Sequence, residues 1–271
     1  MVSKLENKQN LLKFNDASKQ AKLSAMSEWL GYKPKVYTFS LPAGVSCPGA
    51  VDCLSYSDRV TGKITDGKHT QFRCFMASIE SISPTARAQY HHNFDLLRKL
   101  KDVESMVNLI MDSLPKKFDI MRIHVGGDYF NERYLIAWAQ VAALNPDKTF
   151  YSYTKSIQYW IKNIDNIPPN LILNGSRGGR FDTLLDEFSL KTAEVVFSLE
   201  EAESKGLKID HNEELAIKPL GNFGLLIHGT QPKGSKAAAA KKLLQKNNIK
   251  HSYSRKKGCN SSINYLTTNS L

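Results

Sequence analysis

The stretch that decides the fold runs from residue 118 to residue 154 and contains FDIMRIHV (118–125), ERYLIAWAQVAAL (132–144) and TFYSYT (149–154). The first and third segments are short runs rich in β-branched and aromatic residues, which is typical of buried strands. The segment between them has apolar residues at helical spacing and ends at Asn145-Pro146, where a helix cannot continue. A strand, a helix and a second strand in this order predict a βαβ unit with parallel strands.

The same alternation continues on both sides of this unit. The patterns predict further strands at 36–41, 171–174, 195–199 and 224–228, and helices at 17–30, 75–101 with an interruption at Pro84, 103–114, 157–164, 200–205 and 235–245. The polar stretch 55–71 predicts a hairpin around Asp66-Gly67. Five or so strand–helix units predict an α/β protein with a mainly parallel sheet in a partial or irregular β/α barrel, and a doubly wound sheet is the second choice.

The composition is that of a protein that folds in water. Hydrophobic residues make up 41% of the 271, which is enough for a core, and no apolar run reaches the length that a membrane span needs. Residues 1–16 are polar and lack the apolar centre of a secretory signal, so we expect a cytoplasmic protein. In a reducing compartment, cysteines are usually free, catalytic or metal-bound.

The net charge of +11 is concentrated near the C-terminus. Residues 215–271 contain ten Lys and Arg and no Asp or Glu, whereas residues 1–214 contain 27 basic and 26 acidic residues. Such asymmetry favours a polyanion, and we expect nucleic acid to bind through this segment. A basic tail that only aids solubility is the alternative, since no base-reading motif accompanies it. The sequence thus divides into an α/β domain, 1–234, and a basic helix and tail, 235–271.

Four cysteines, Cys47, Cys53, Cys74 and Cys259, are the candidate metal ligands. Five residues separate the first two, twenty separate the second and third, and each lies near a loop or the end of an element. Four thiolates suit zinc or an iron–sulfur cluster. The spacing is looser than that of a zinc ribbon, which favours a [4Fe-4S] cluster, with zinc as the alternative. Ordinary reduced cysteines are the structural alternative, and Cys74 is the one that a core most easily accommodates.

Polar residues follow three of the predicted strands. Gly126, Gly127 and Asp128 come after His124 at the end of the first, Lys155 follows the second, and Arg177 and Arg180 follow the third. Ligands of parallel α/β folds bind at this edge, so the seven residues together predict a polar pocket. Strand alternation predicts that His124 and Arg122 share one face. A structural role for Asp128 as a helix cap is the alternative.

The motifs CPGAVDC, CFMAS, RIHVGGDYF and FYSYTKS together resemble the gene product 88 family of phage and plasmid proteins, over residues 41–180. The resemblance implies a phage-type protein in the host cytoplasm, cysteines near both ends, and a distant relation to radical-SAM-type barrels. Family members have the third cysteine close behind the second, whereas here 55–71 lies between them. Cys259 alone represents the C-terminal cysteines of the family.

Three functions remain open at this point. The first is a [4Fe-4S] protein that associates with nucleic acid. The second is a radical-SAM-like enzyme, although the tight C-x₃-C-x₂-C is absent and a fourth cysteine would close the open iron. The third is a nuclease whose fold is stabilised by zinc or by a cluster, with Asp128 and Lys155 at its site. The residues do not decide whether the chain is an enzyme.

Overall fold

The computed structural model describes residues 10–20, 23 and 25–249. The strands in these residues are β1 (Asn15–Asp16), β2 (Val36–Thr38), β3 (Ser55–Ser57), β4 (Ile64–Asp66), β5 (Ile120–Ile123), β6 (Thr149–Thr154), β7 (Leu171–Ser176), β8 (Thr192–Val196), β9 (Lys208–Ile209) and β10 (Phe223–Leu226). The helices are α1 (Met26–Leu30), α2 (Phe75–Ile82), α3 (Pro84–Lys99), α4 (Val103–Ser113), α5 (Glu132–Ala143), α6 (Ile157–Lys162), α7 (Asp182–Glu187), α8 (Leu199–Ser204), α9 (Glu214–Ile217) and α10 (Lys236–Lys246).

The main sheet has eight strands in the order β1-β2-β5-β6-β7-β8-β10-β9. Seven of them are parallel: β2, β5, β6, β7, β8 and β10 lie side by side in chain order, and β9 pairs with β10 at the edge. The predicted α/β class and mainly parallel sheet are therefore confirmed. From β2 to β10 the order of these six strands does not reverse, which separates this sheet from a doubly wound one, and only the two-residue edge strand β9 lies out of chain order. The sheet is not closed into a barrel: β1, antiparallel to β2, and β9 are its edges.

The two faces of the sheet bury different cores. Met121, Ile123 and Phe150 pack on one face against α4, α5 and α6. Ile120 and Tyr151, their neighbours in sequence, belong to a second core with Met26 of α1 and Ala216 of α9 on the other face. Because side chains alternate along each strand, both faces of the open sheet are covered by a hydrophobic core.

Several predicted bounds change in the structure. The hairpin exists, as β3 paired with β4, but its turn lies at 58–63, where Asp58 Oδ1 accepts from Thr61 N–H at 2.7 Å, and not at Asp66-Gly67. The predicted helix 17–30 is wrong at its start. Residues 17–20 form a turn, because Ser18 Oγ accepts from Val36 N–H (3.0 Å) and ties this segment to β2.

The helix α10 packs on the sheet through its apolar side. Ala237 and Leu244 are buried with Val196 of β8, Leu226 of β10 and Ile227. Its N-terminus is capped by Ser235, whose hydroxyl accepts from Ala238 N–H at 3.1 Å. The basic helix therefore lies against the α/β unit, whereas Cys259 and the rest of the tail lie outside the described residues.

Candidate metal centre

The first two cysteines lie on a loop, residues 42–54, that crosses the carboxyl ends of the parallel strands. We call it the cysteine loop. Backbone hydrogen bonds fix it to two strand ends. Leu41 N–H donates to the carbonyl of Gly126 (2.9 Å), and Asp52 N–H donates to the carbonyl of Gly178 (2.9 Å). Arg180 N–H donates in turn to the carbonyl of Gly49 at 2.9 Å. The loop therefore covers the edge where the sequence predicted a pocket.

Glycines let the cysteine loop approach these strand ends closely. A Cβ on Gly49 would lie 2.2 Å from the carbonyl oxygen of Lys155. Gly127 has a φ of +83°, and a Cβ there would lie 2.5 Å from both Leu41 Cβ and Ser46 Oγ. The Gly-Gly-Asp motif thus makes room for the neighbouring loop backbone, which is the close approach that glycine at a strand end permits.

Cys47, Cys53 and Cys74 converge at this edge as free, half-buried residues. Burial is the main cause that raises the pKa of each thiol, and it brings that of Cys74 to about 12. The neighbouring thiols raise it further: Cys74 and Cys53 act on Cys47, and Cys53 acts on Cys74. The three sulfur atoms therefore lie within one another's electrostatic field, as the sequence spacing alone could not establish.

Cys74 lies at the N-cap of α2, directly before Phe75. The backbone N–H groups of Ala77 and Met76 lower the pKa of its thiol and partly offset burial. A helix N-terminus stabilises negative charge through these unpaired N–H groups. The helix N-terminus thus stabilises the Cys74 thiolate, and Cys74 lies at an element end, as the sequence predicted.

Among the described residues, no group of three or more His, Cys, Asp or Glu side chains is arranged so that it could hold a single metal ion. The thiols of Cys47, Cys53 and Cys74 are soft donors of the kind that hold zinc or an iron–sulfur cluster. The predicted fourth ligand, Cys259, lies outside the described residues.

Asp128 is buried beside the cysteine loop and is fully engaged by neighbours. Its carboxylate accepts from Tyr129 N–H (2.7 Å), Thr154 Oγ1 (2.6 Å) and Lys155 N–H (2.8 Å). Burial raises its pKa to about 6 despite these bonds. Its negative charge raises the pKa of Cys47 in turn. Asp128 therefore joins the ends of β5 and β6 and adds negative charge to the site.

The Lys155 ammonium binds the end of the next strand. Its Nζ donates to the carbonyl (2.9 Å) and the hydroxyl (2.8 Å) of Ser176, and to the carbonyl of Arg177. Its positive charge lowers the pKa of Cys53. The expected meeting of Asp128 and Lys155 at one edge thus occurs, but it is the Lys155 backbone N–H that binds the carboxylate.

The other predicted pocket residues do not converge on one point. His124 has a φ of +62°, which breaks strand alternation after Ile123. Its ring therefore lies on the face of the sheet that α5 covers, with Nε2 3.0 Å from Tyr134 Oη and Nδ1 3.3 Å from Ser152 Oγ. The prediction that it shares a face with Arg122 is wrong for this reason. Burial lowers the pKa of His124 to about 3, so the imidazole is neutral.

Arg177 and Arg180 turn away from the cysteines. The Arg177 guanidinium pairs with Asp186 of α7 through both carboxylate oxygens. The side chain of Arg180 is exposed, and its backbone N–H binds the cysteine loop. Two adjacent glycines, Gly178 and Gly179, donate to the Asp182 carboxylate at 2.7 and 2.9 Å. This segment therefore supports the loop and presents no converging pair of guanidinium groups.

The comparisons with known proteins agree with the motifs that this edge carries. The family described as Gene product 88 matches residues 3–247. The chain belongs to the gene product 88 family. A relative, the Gene 88 protein of Mycobacterium phage D29, is 30% identical over 90 residues, which are 30% of this chain and 38% of that protein. The shared stretch is thus well under two thirds of the relative. No solved structure matches the chain.

No helix among the described residues of this gene product 88 member is long and apolar enough to cross a membrane. The family match is longer than the resemblance expected from the motifs, because it includes the segments before residue 41 and after residue 180. The expected family is therefore confirmed.

Sequence reasoning missed Gln231, which holds the segment around Cys74. Its Oε1 accepts from Arg73 N–H at 2.8 Å and its Nε2 donates to the carbonyl of Arg73 at 3.1 Å. The neighbouring His228 ring lies 4.9 Å from the ring of Phe75. These contacts join the loop after β10 to the start of α2, 158 residues away along the chain. No local signal predicts them.

Glu80 is a second buried group that the sequence did not single out. Its Oε1 accepts from Ala43 N–H in the cysteine loop at 2.8 Å. Oε2 has no hydrogen-bond partner among the described residues. Burial raises the pKa of the carboxyl from 4.5 to about 7.

We expect Glu80 to make stability fall as the pH rises from about 4.5 to about 7. Between these pH values, the folded protein binds more protons at the Glu80 carboxyl than the unfolded chain does. The contribution of Glu80 to the unfolding free energy is therefore most favourable below pH 4.5 and is lost as the pH rises to about 7. Glu80→Gln keeps the acceptor for Ala43 and should be more stable than the parent by about 1–2 kcal/mol at pH 8. Urea unfolding of both proteins from pH 4 to 8 measures the difference between their unfolding free energies. Asp128 and His124 also titrate, but they contribute equally to both proteins and drop out of the difference. Parallel profiles would contradict the prediction.

We expect Gly49→Ala to displace the cysteine loop, because the added Cβ would overlap the Lys155 carbonyl. The cost should be about 1–3 kcal/mol in urea unfolding. Mass-spectrometric mapping of alkylation should also show faster reaction of Cys47 and Cys53. Gly206→Ala is the control, since nothing lies within 4 Å of its Cβ position. Gly206→Ala adds backbone strain, but Cys47 and Cys53 should be alkylated as slowly in this variant as in the parent.

Proposed function

We propose that this protein binds a [4Fe-4S] cluster through Cys47, Cys53 and Cys74. The observation that carries the proposal is the convergence of three thiols, those of Cys47 and Cys53 on the cysteine loop over the carboxyl edge of the sheet and that of Cys74 at the N-terminus of α2. The thiolate forms are disfavoured by burial in the protein alone. Bound iron supplies the positive charge that stabilises them, since a coordinating thiol is deprotonated.

The site supports a cluster better than a structural zinc. A structural zinc takes four donors around one ion, and the five residues between Cys47 and Cys53 make a looser spacing than that of a zinc ribbon. Three cysteines hold three irons of a cubane, and the fourth iron takes either Cys259 or a ligand from outside the chain. The helix N-terminus at Cys74 and the Lys155 ammonium near Cys53 favour negative charge at the site.

The order of the strands favours a radical-SAM-like enzyme as the second candidate. The cysteine loop follows β2, the first of the six parallel strands that lie in chain order, and Gly-Gly-Asp follows β5, the second. Cys47, Cys53 and Cys74 would leave one iron of such a cluster open, and that iron would supply a binding site for the methionine moiety of S-adenosylmethionine. This candidate requires that Cys259 is not a ligand. The nuclease hypothesis has less support, because the Asp128 carboxylate is occupied by three donors.

Metal content tests the first proposal and separates it from zinc. Protein purified anaerobically, or reconstituted with iron and sulfide, should be brown and contain about four irons and four sulfides per chain. Colourless protein with about one zinc per chain would contradict the cluster. Addition of S-adenosylmethionine to the reduced protein should change its EPR spectrum if the second candidate is right, and should leave it unchanged if the fourth iron is closed.

The basic segment supports a nucleic-acid partner as a separate part of the proposal. Lys242 and Lys246 of α10 are exposed, and neither has a carboxylate partner among the described residues. The acid-free run continues through Lys256 and Lys257, which lie outside the described residues. Charge of this kind binds phosphates without reading sequence.

We expect the replacement of Lys242, Lys246, Lys256 and Lys257 by glutamate to weaken the binding of DNA and RNA and to flatten the salt dependence of that binding. Each phosphate contact contributes roughly 0.7–0.9 to the slope of log affinity against log salt concentration. Fluorescence anisotropy at several salt concentrations measures both. A matched control reverses four exposed lysines elsewhere, Lys99, Lys101, Lys116 and Lys117. Equal weakening by both sets would mean that only net charge matters, and no binding by the parent would remove the proposed partner.

A further inference from the structure

A cavity of about 690 Å³ lies behind the candidate metal centre. Its walls come from the N-terminal segment, from β2 and β5, from α2 and α3, and from the loop after β10. Phe75 and Met76, which directly follow Cys74, are among its lining residues. The size is that of sites that enclose a small organic molecule.

The floor of the cavity is rich in hydroxyl groups and carries a balanced charge. Thr38, Ser40 and Tyr90 line it and are buried, as is Arg122. The Arg122 guanidinium is paired with Glu213 at 3.1 Å, so it does not present an uncompensated positive charge. The floor therefore suits a ligand that exchanges hydrogen bonds and has no net charge of its own.

The walls of the cavity are apolar and partly aromatic. Phe75 and His228 form a ring pair with centroids 4.9 Å apart, and Met76 and Ile79 line the cavity beside Phe75. Sulfur and ring faces of this kind favour flat aromatic ligands. A ligand with an aromatic ring against this wall would reach the hydroxyl groups of the floor with its polar edge.

The mouth of the cavity carries amide and hydroxyl side chains. Gln20 and Thr85 are exposed there, Gln89 is half-buried, and Asp16 is the charged residue at the rim. Lys19 and Lys35 act on the Asp16 carboxylate, so the mouth, like the floor, carries charges of both signs. An amino acid would need a charged partner for each of its two charged groups, and the charges of the Arg122–Glu213 pair are already matched to each other.

We propose that this cavity binds an uncharged nucleoside, with the base against Phe75 and Met76 and polar groups of the ligand at Thr38, Ser40 and Gln89. A nucleoside combines a flat ring, several hydrogen-bonding edges and the absence of net charge, and the cavity matches each of these. The inference rests on residues of the cavity and not on the proposed cluster. Its failure is therefore separate from failure of the metal centre.

Ligand-observed NMR and calorimetry with adenosine, guanosine, cytidine, uridine and thymidine test the proposal on the full chain. At least one nucleoside should bind, and its 5′-monophosphate should bind no more tightly, because Arg122 is already paired with Glu213 and supplies no free positive charge. Thr38→Val and Gln89→Leu should each weaken binding up to about tenfold, which is the effect of one lost hydrogen bond. Repeating the titration on a Cys47→Ser variant should give the same affinity, since the ligand does not depend on the metal.

Gln140→Leu is the matched control, because Gln140 is exposed on α5, on the opposite face of the sheet. It should bind nucleosides like the parent. Binding that survives both cavity substitutions unchanged would overturn the proposal, as would binding of monophosphates but not of nucleosides. Failure of all five nucleosides to bind would overturn it as well.

Discussion

Cys74→Ser should abolish most of the iron and sulfide that the anaerobically prepared protein retains. Cys74 is the proposed ligand that would join α2 to the cysteine loop, and the N–H groups of Met76 and Ala77 stabilise its thiolate. Serine keeps the size of the side chain but supplies a much poorer ligand for iron. The measurement is iron and sulfide content together with the absorption spectrum after reconstitution. Cys47→Ser and Cys53→Ser should have the same effect, because the three ligands act as one set.

The variant Cys259→Ser tests whether Cys259 is the ligand of the fourth iron in the proposed cluster. If Cys259 is a ligand, the cluster of the parent closes a very long loop of the chain, and the variant loses this cross-link. Its cluster should then be less stable, and its thermal midpoint should fall. If it is not, metal content and midpoint should match those of the parent, and the open iron of the second candidate is retained. Full iron content in Cys47→Ser, Cys53→Ser and Cys74→Ser alike would rule out the proposed centre.

Breaking the buried ion pair between Arg122 and Glu213 should cost about 3–5 kcal/mol of unfolding free energy, because one charge then remains buried without its partner. Arg122 Nη1 lies 3.1 Å from Glu213 Oε1, and the two side chains are 8% and 0% exposed. Tyr153 Oη also donates to Glu213 Oε2 at 3.2 Å. Glu213 itself has a φ of +64°, which the structure holds against its usual preference. Arg122→Met, followed by urea unfolding, measures the effect.

The double variant Arg122→Met with Glu213→Gln should recover much of that loss, since both charges are then removed and the Tyr153 partner is kept. The exposed pair Lys162 and Glu132, 3.1 Å apart at 66% and 34% exposure, is the control. Glu132→Gln should cost less than about 1 kcal/mol. A cost for Arg122→Met as small as that of the control would show that the pair does not stabilise the floor of the cavity.

Much of the fold follows from local pattern. β6 begins and ends where the TFYSYT pattern predicts, and α5 is only one residue shorter than its amphipathic segment. Asn131 caps α5 by accepting from Tyr134 N–H at 2.9 Å, a signal that is local in the chain. The short edge strands β1 and β9 were missed, because two residues carry no periodicity and their pairing is decided by distant neighbours.

The candidate ligands could be predicted from the sequence, but the arrangement of the residues around them could not. Thiol chemistry and the order of elements identified Cys47, Cys53 and Cys74, and the carboxyl edge identified Asp128 and Lys155. The polar residues at that edge were expected to line a pocket. They hold the cysteine loop, because Gly49 and Gly127 let its backbone reach the strand ends and fill the space. The cavity lies elsewhere, under α2.

The sequence by itself determined the parallel α/β class, the family and the three cysteines at element ends, because each of these depends on residues close together in the chain. Only the tertiary structure decided that six of the parallel strands lie in chain order, that His124 leaves the face of Arg122, and that Gln231 binds the backbone of Arg73. The physical reason is that these features depend on strand order, one left-handed residue and hydrogen bonds between segments more than 150 residues apart, none of which leaves a periodic or local trace in the sequence.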